Sequence, residues 1–225
     1  MIIFQNVTKQ YPLGNNALEN ASFEIEDNEF VFLVGPSGAG KTTILKLLVR
    51  DTVPSSGTIF VDDQEVSKRK FHDTQRLRRK IGFVFQDFKI IPEKNVFENV
   101  AISLEIVKTS KKQVKNEVQE ALALVNLTDK ARVFPIQLSA GELQRVAIAR
   151  AIVGNRDLIL ADEPTGNLDP KTTWEIMRIF KKLEGEKTIV VATHNTDIVN
   201  SLKKRVIALK EGRIVADKRK GGYEL

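Results

Sequence analysis

The chain has 225 residues, of which 42% are hydrophobic and 28% charged, so it can bury a sizeable core and lacks the composition of a long disordered chain. It contains no cysteine, which excludes a disulfide framework and thiolate metal sites. The net charge of +6 permits attraction to nucleotides, nucleic acid or anionic lipid, although charge runs of this kind are typical of solvated faces. No apolar run is long enough to span a bilayer and no signal-peptide pattern opens the chain, so we expect a soluble protein that reaches a membrane only through a partner.

The spacing of apolar residues predicts strands that alternate with helices. Strands are predicted at 1–7, 17–25, 30–34, 58–61, 81–85, 156–161 and 187–192, followed by a hairpin of 205–209 and 213–217. Helices are predicted at 41–50, 73–80, 96–107, 111–125, 140–153 and 170–183. This order predicts an α/β fold with a mostly parallel, helix-covered sheet, antiparallel strands early in the chain and a helical insert from about 87 to 154.

A glycine-rich segment at 35–43, Gly-Pro-Ser-Gly-Ala-Gly-Lys-Thr-Thr, separates the predicted strand at 30–34 from the helix that follows. It matches G-x-x-x-x-G-K-[ST], a phosphate-binding loop. Its glycines let the backbone curl with the N–H groups pointing inward, and the helix adds the positive end of its dipole. Lys41 would reach the β- and γ-phosphates, and the Thr42 hydroxyl would ligate Mg²⁺. The segment therefore predicts a nucleoside triphosphate site, the alternative being a plain turn.

Two adjacent carboxylates end the apolar run at 158–161. At the carboxyl edge of a parallel strand beside the phosphate loop, Asp162 can hold the Mg²⁺ shell. Glu163 can then polarise a water for attack on the γ-phosphate. The alternative is a strand end with solvated carboxylates.

The segment at 138–144, Leu-Ser-Ala-Gly-Glu-Leu-Gln, precedes a predicted helix. Ser139 followed by Glu142 is a capping box, which is a purely structural explanation. A serine and a glycine at an exposed helix N-terminus also suit a γ-phosphate. Since the phosphate loop already serves the chain's own nucleotide, this segment is predicted to meet a nucleotide bound by another subunit.

Together these segments resemble those of an ABC-type ATPase from end to end. Tyr11 matches the aromatic residue that stacks on adenine, Gln86 the Q-loop glutamine, Asp169 the D-loop aspartate and His194 the switch histidine. The resemblance implies a single ABC-type nucleotide-binding domain over 1–225. It would have a RecA-like P-loop core with an antiparallel β subdomain at about 1–86 and 155–225, and a helical subdomain at about 87–154.

The resemblance also assigns roles to individual residues. Glu163, His194 and Gln86 would be catalytic, and Thr42, Gln86 and Asp162 would hold Mg²⁺. ATP would contact Tyr11, Gly35, Ser37, Gly38, Ala39, Gly40, Lys41, Thr42, Thr43, Ser139, Gly141 and Asp169.

Within the family, the segments at 30–41, 84–88 and 162–170, with the ending Gly-Gly-Tyr at 221–223, resemble the ATPases that act in cell division. This implies an ATP-dependent head-to-tail homodimer that drives an FtsX-like integral membrane protein and regulates cell-wall hydrolysis. The chain would be cytoplasmic, held by that partner at the inner face of the bacterial cell membrane. The alternative within the family is the ATPase subunit of a lipoprotein-release or macrolide-type exporter.

Two further alternatives come from other classes. A nucleic-acid-binding ABC ATPase is favoured only by the basic charge, since the chain has no second ATPase domain, coiled-coil insertion or zinc-binding cysteines. No nucleic-acid partner is therefore expected. A nucleotide-gated scaffold without turnover stays open.

The segment at 138–142 matches the family's signature motif and is here called the signature segment. It departs from the usual Leu-Ser-Gly-Gly-Gln at Ala140 and Glu142, and an acid beside a γ-phosphate is expected to slow turnover. Apolar residues that follow Gln86 are a candidate docking surface for the membrane partner, the alternative being helical core. They are Phe88, Ile90, Ile91, Pro92 and Val96.

Overall fold

The computed structural model describes residues 1–12, 14 and 16–221. Over these residues the strands are β1 (Ile2–Gln10), β2 (Asn16–Ile25), β3 (Phe30–Val34), β4 (Ser56–Val61), β5 (Gln64–Glu65), β6 (Ile81–Val84), β7 (Leu158–Asp162), β8 (Thr188–Thr193), β9 (Arg205–Lys210) and β10 (Arg213–Lys218). The helices are α1 (Lys41–Leu48), α2 (Thr74–Lys80), α3 (Val96–Ile106), α4 (Lys111–Leu124), α5 (Ala140–Ile152), α6 (Pro170–Lys182) and α7 (Thr196–Leu202). Two short 3₁₀ turns, Thr128–Lys130 and Pro135–Gln137, lead into α5.

The strands form two sheets in the described part of the chain. A six-stranded sheet has the order β10-β9-β3-β8-β7-β6, parallel throughout except for β10, which pairs antiparallel with β9 at one edge. A four-stranded antiparallel sheet has the order β2-β1-β4-β5. Both the mostly parallel sheet and the early antiparallel strands were predicted from the sequence.

The larger sheet is covered on both faces, as strand β3 shows. All five residues of this strand are buried. Phe30, Phe32 and Val34 contribute to a core shared with α3, α4, α5 and α6. Val31 and Leu33 point to the other face and pack in a second core with α1 and the four-stranded sheet. A sheet covered on both faces explains the continuous apolar run of this strand.

Helix α5 packs against β6 at the edge of the sheet, and α3 and α4 pack against α5. Their buried residues belong to the same core cluster as one face of β3. The boundaries of a separate helical subdomain at 87–154 stay a prediction.

Some sequence-based expectations differ from the structure. The two-residue strand β5 and the helix α7 were not predicted, and the other elements differ from their predicted bounds mostly by one to three residues. Val96 is buried in the core and is therefore not part of a docking surface, whereas Ile90 is half-buried and packs against that core. The Gly-Gly-Tyr ending extends beyond the described residues. None of the described helices is long and apolar enough to cross a membrane.

Candidate active site

The phosphate loop joins β3 to α1 and borders a cavity of about 540 Å³. Residues of three other segments reach the same cavity: Gln86 after β6, Glu163 after β7 and His194 after β8. Because parallel strands end at one edge of their sheet, residues far apart in sequence meet there. The complete lining is Ala17, Pro36, Ser37, Gly38, Ala39, Gly40, Lys41, Thr42, Thr43, Gln86, Glu163 and His194.

The first glycine of the loop allows it to start its turn directly after β3. Gly35 has a φ of +149°, which disfavours a residue with a side chain. A Cβ atom there would lie 2.2 Å from the backbone oxygen of Leu209 on the neighbouring strand β9. The glycine therefore lets the loop leave the sheet against the end of β9.

Lys41 is the buried cation of the loop, with 6% of its surface exposed. Its Nζ donates to the carbonyl oxygens of Gly35 at 2.7 Å and Pro36 at 3.2 Å. It also lies 3.6 Å from Oε1 of Glu163. The ammonium group is thus held by the loop itself, at the wall of the cavity.

Thr42 and Asp162 form an oxygen pair beside the cavity. The Thr42 hydroxyl donates to Oδ1 of Asp162 at 3.1 Å. Burial is the main cause that raises the pKa of Asp162, and the Thr42 hydrogen bond partly opposes it. The hydroxyl at the start of α1 and the carboxylate at the end of β7 are suitable oxygen ligands for Mg²⁺. The residues present therefore fit this ion.

Glu163 follows β7 with a φ of +46°, a left-handed conformation that is uncommon for a residue with a side chain. Its backbone N–H donates to the carbonyl of Ala192 on β8, at 2.9 Å. Oε1 lies 2.9 Å from Nδ1 of His194, and Oε2 accepts the backbone N–H of His194 at 3.4 Å. The unusual backbone is thus fixed by β8, and the carboxylate is aimed at the cavity.

Tyr11 does not line the cavity. Its ring lies under the ammonium group of Lys9, whose Nζ is 5.0 Å from the ring centroid. The adenine contact predicted for Tyr11 therefore stays a prediction.

Ser139, Gly141 and Asp169 also lie outside the cavity, at the N-termini of two helices. Ser139 caps α5 in the predicted capping box with Glu142. Asp169 caps α6 by accepting the N–H of Thr172 at 3.1 Å. A Cβ on Gly141 would lie 2.5 Å from Cγ2 of Thr172, so the starts of α5 and α6 are in close contact.

Sequence reasoning missed Arg150, which fixes the segment after Gln86. Its guanidinium donates to the carbonyl oxygens of Phe88 at 2.6 Å and Lys89 at 2.5 Å. Both of these residues have positive φ, at +58° and +50°. An arginine late in a helix carries no pattern that predicts a contact more than sixty residues away, so no sequence signal could have found it.

Comparison with known proteins identifies the family. The sequence profile of the ABC transporter family matches residues 18–166. The chain belongs to the ABC transporter family. This ABC ATPase is 50% identical over 224 residues to the cell division ATP-binding protein FtsE of Bacillus subtilis, with 99% of this chain and 98% of that protein covered. It is 46% identical to FtsE of Streptococcus pneumoniae, with 99% and 97% covered.

Solved structures agree with this identification. A dimeric, post-hydrolysis structure of the ATP-binding cassette MJ0796, bound to ADP and Pi, aligns with a TM-score of 0.88 and 38% identity. The alignment covers 99% of this chain and 100% of that one. The predicted ABC-type α/β fold, the ATPase activity and the resemblance to the cell-division members of the family are confirmed.

Proposed function

We propose that this ABC ATPase works as a head-to-tail homodimer, the ATP-hydrolysing part of an FtsEX-like complex that regulates cell-wall hydrolysis during cell division. The observation that carries the dimer is the separation of the two halves of the site. The phosphate loop, Glu163 and His194 share one cavity, whereas Ser139 and Gly141 lie outside it. A second copy turned end to end would bring its Ser139 to that cavity. The FtsE relatives favour this function over the exporter alternative.

In this proposal Thr42, Asp162 and Gln86 would hold Mg²⁺, which would neutralise part of the charge on the β- and γ-phosphates. Lys41 exchanges its carbonyl partners for phosphate oxygens. Glu163 accepts a proton from the attacking water, and His194 keeps that carboxylate aimed at the cavity. Tyr11 would contact adenine, and Asp169 would face the second copy.

The test of this proposal is the Glu163→Gln variant with MgATP. Loss of the proton acceptor is expected to slow hydrolysis by about a hundredfold or more while ATP still binds. Size-exclusion chromatography with light scattering should then show a dimer only when ATP is present. Lys41→Ala is the matched control, because it should lose ATP binding and stay monomeric.

Glu163→Gln also separates an enzyme from a nucleotide-gated scaffold. Cell-division function in the host should be lost with either Glu163→Gln or Lys41→Ala if turnover is required. Full function of Glu163→Gln, with loss only in Lys41→Ala, would contradict the role of hydrolysis.

The membrane partner would dock in a groove of about 590 Å³ beside β6, here called the docking groove. Phe83, Phe85 and Ile106 supply apolar contacts there. Its arginines are Arg78, Arg79, Arg150 and Arg156. Within the described part of the chain, none of these arginines forms a salt bridge with a carboxylate. The groove therefore suits an apolar segment that carries acidic residues, and an FtsX-like protein that supplies it would hold this chain at the membrane.

A further inference from the structure

The inference concerns the carboxylate at the start of α5 and rests on the proposed dimer. Oε2 of Glu142 accepts the backbone N–H and the hydroxyl of Ser139, both at 2.9 Å. The Ser139 Oγ in turn accepts the N–H of Glu142 at 3.3 Å. A negative charge thus touches the hydroxyl that the proposed dimer offers to the γ-phosphate of its neighbour.

Glu142 is ionised under all physiological conditions. The hydrogen bond from Lys130 is the largest cause that lowers its pKa, to about 2, and the Ser139 backbone adds to it. The side chain of Glu142 therefore carries a negative charge at neutral pH. Because ATP is strongly anionic, an unbalanced carboxylate at this position would oppose closure of the dimer.

Lys130 supplies the balancing charge. Its Nζ contacts Oε1 of Glu142, the oxygen that Ser139 leaves free, and the Glu142 side chain is only 15% exposed. The neighbouring cation Arg145 is already paired with Glu175, at 3.0 Å.

The segment that carries Lys130 is held by backbone hydrogen bonds on both sides of this residue. The backbone N–H of Lys130 donates to Leu127 at 3.1 Å, and its carbonyl accepts from Val133 at 2.9 Å. Ala131 accepts the backbone N–H of Phe97 on α3 at 2.8 Å. The ammonium group is therefore presented to Glu142 from an ordered backbone.

We propose that Lys130 is a positioning residue for the nucleotide bound by the partner subunit. By neutralising Glu142 and holding it in the cap of α5, Lys130 keeps the start of this helix attractive to phosphate. It acts through Glu142 and does not itself touch ATP. The proposal also explains how a signature segment with an acid in its fifth position can serve an ATPase.

The test measures the ATP-dependent dimerisation constant by sedimentation velocity in the Glu163→Gln background. Adding Lys130→Met should weaken the dimer about twofold to fivefold, the effect expected for one partly exposed ion pair. Adding Glu142→Gln as well should restore the parent value, because no charge is then left to balance. Lys130→Arg should behave as the parent, and the defect of Lys130→Met should shrink in high salt.

Two controls separate this role from a structural one. ATP affinity of the monomer should be unchanged by Lys130→Met, since neither Lys130 nor Glu142 lines the cavity of the chain's own phosphate loop. Failure of Glu142→Gln to rescue the dimer, or an unchanged dimer in Lys130→Met, would overturn the inference alone. A Glu163→Gln parent that stays monomeric in MgATP would overturn the proposed dimer and the role of Lys130 with it.

Discussion

At the scale of single residues, Asp162 and Glu163 are adjacent but lie in different surroundings. Asp162 ends β7, is 8% exposed and accepts the Thr42 hydroxyl. Glu163 turns away in a left-handed conformation and faces Lys41 and His194. Asp162 is thus placed as a candidate metal ligand, and Glu163 is placed to reach a water in the cavity.

Asp162→Asn is expected to stabilise the nucleotide-free protein. The substitution keeps an oxygen that accepts the Thr42 hydroxyl but removes a buried charge whose desolvation is unfavourable. The free energy of unfolding in urea, without Mg²⁺ or nucleotide, should rise by about 1 kcal/mol. Hydrolysis of MgATP should fall sharply in the same variant. A less stable Asp162→Asn protein would show that the charge has favourable partners that outweigh its desolvation.

The roles of these two acids could be predicted from the sequence, because an apolar strand that ends in carboxylates is a pattern within a few neighbouring residues. The capping box of Ser139 and Glu142 was predictable for the same reason. The partner of Glu142 was not, since Lys130 lies twelve residues earlier, beyond a second 3₁₀ turn. No helical or strand period relates the two positions, so only the folded chain shows the pair.

At the scale of elements, α5 is placed by an unusually close approach to the sheet. A Cβ on Gly82 of β6 would lie 1.9 Å from the backbone oxygen of Ala151 in the last turn of α5. Backbone cannot move aside as a side-chain end can, so a glycine is required at this contact. The sequence predicted the strand at 81–85. It did not indicate that α5 would lie against Gly82, the second residue of that strand.

Gly82→Ala should therefore destabilise the protein strongly, by about 3 kcal/mol, because the helix must shift away from the sheet. Gly166→Ala is the matched control: the nearest atom to its Cβ would be the Glu163 carbonyl oxygen at 3.5 Å, an ordinary contact. Its effect should stay within about 0.5 kcal/mol. Urea unfolding of both variants measures the difference, and equal stabilities would mean that α5 relaxes at little cost.

At the scale of the whole molecule, the cavity of the phosphate loop and the docking groove are distinct surfaces. The docking groove lies beside β6, at the edge of the six-stranded sheet opposite β10. Ile106 in this groove is 69% exposed, and Val215 on β10 is 60% exposed. These two apolar side chains therefore offer a matched pair for testing which face meets the membrane partner.

Ile106→Glu should prevent capture of the FtsX-like protein from host membranes, because it places a carboxylate among the apolar contacts of the groove. ATP hydrolysis by the isolated protein should persist, since Ile106 does not line the ATP cavity. Val215→Glu should capture the partner as the parent protein does. Equal capture by Ile106→Glu and the parent would place the docking surface elsewhere.

Much of the overall architecture could be predicted, because alternating strands and helices restrict the chain to few arrangements. The proposed docking groove could not be predicted. Val96 was expected to be either surface or core, and its place in the core depends on how α3 packs. The arginines of the groove come from α2, from α5 and from the loop before β7, so they form one charged surface only after folding.

Helix α5 is held by hydrogen bonds at both of its ends. Its thirteen residues span about 20 Å, with Ser139 at the start and Arg150 near the end, bonded to the carbonyl oxygens of Phe88 and Lys89. In the proposed dimer one end meets the neighbour's ATP, while the other end holds the loop that brings Gln86 to the chain's own ATP. Because a helix of this length is rigid, a displacement at its Ser139 end would also displace its Arg150 end. Occupation of one site should therefore alter the affinity of the other, so that the pair binds ATP cooperatively.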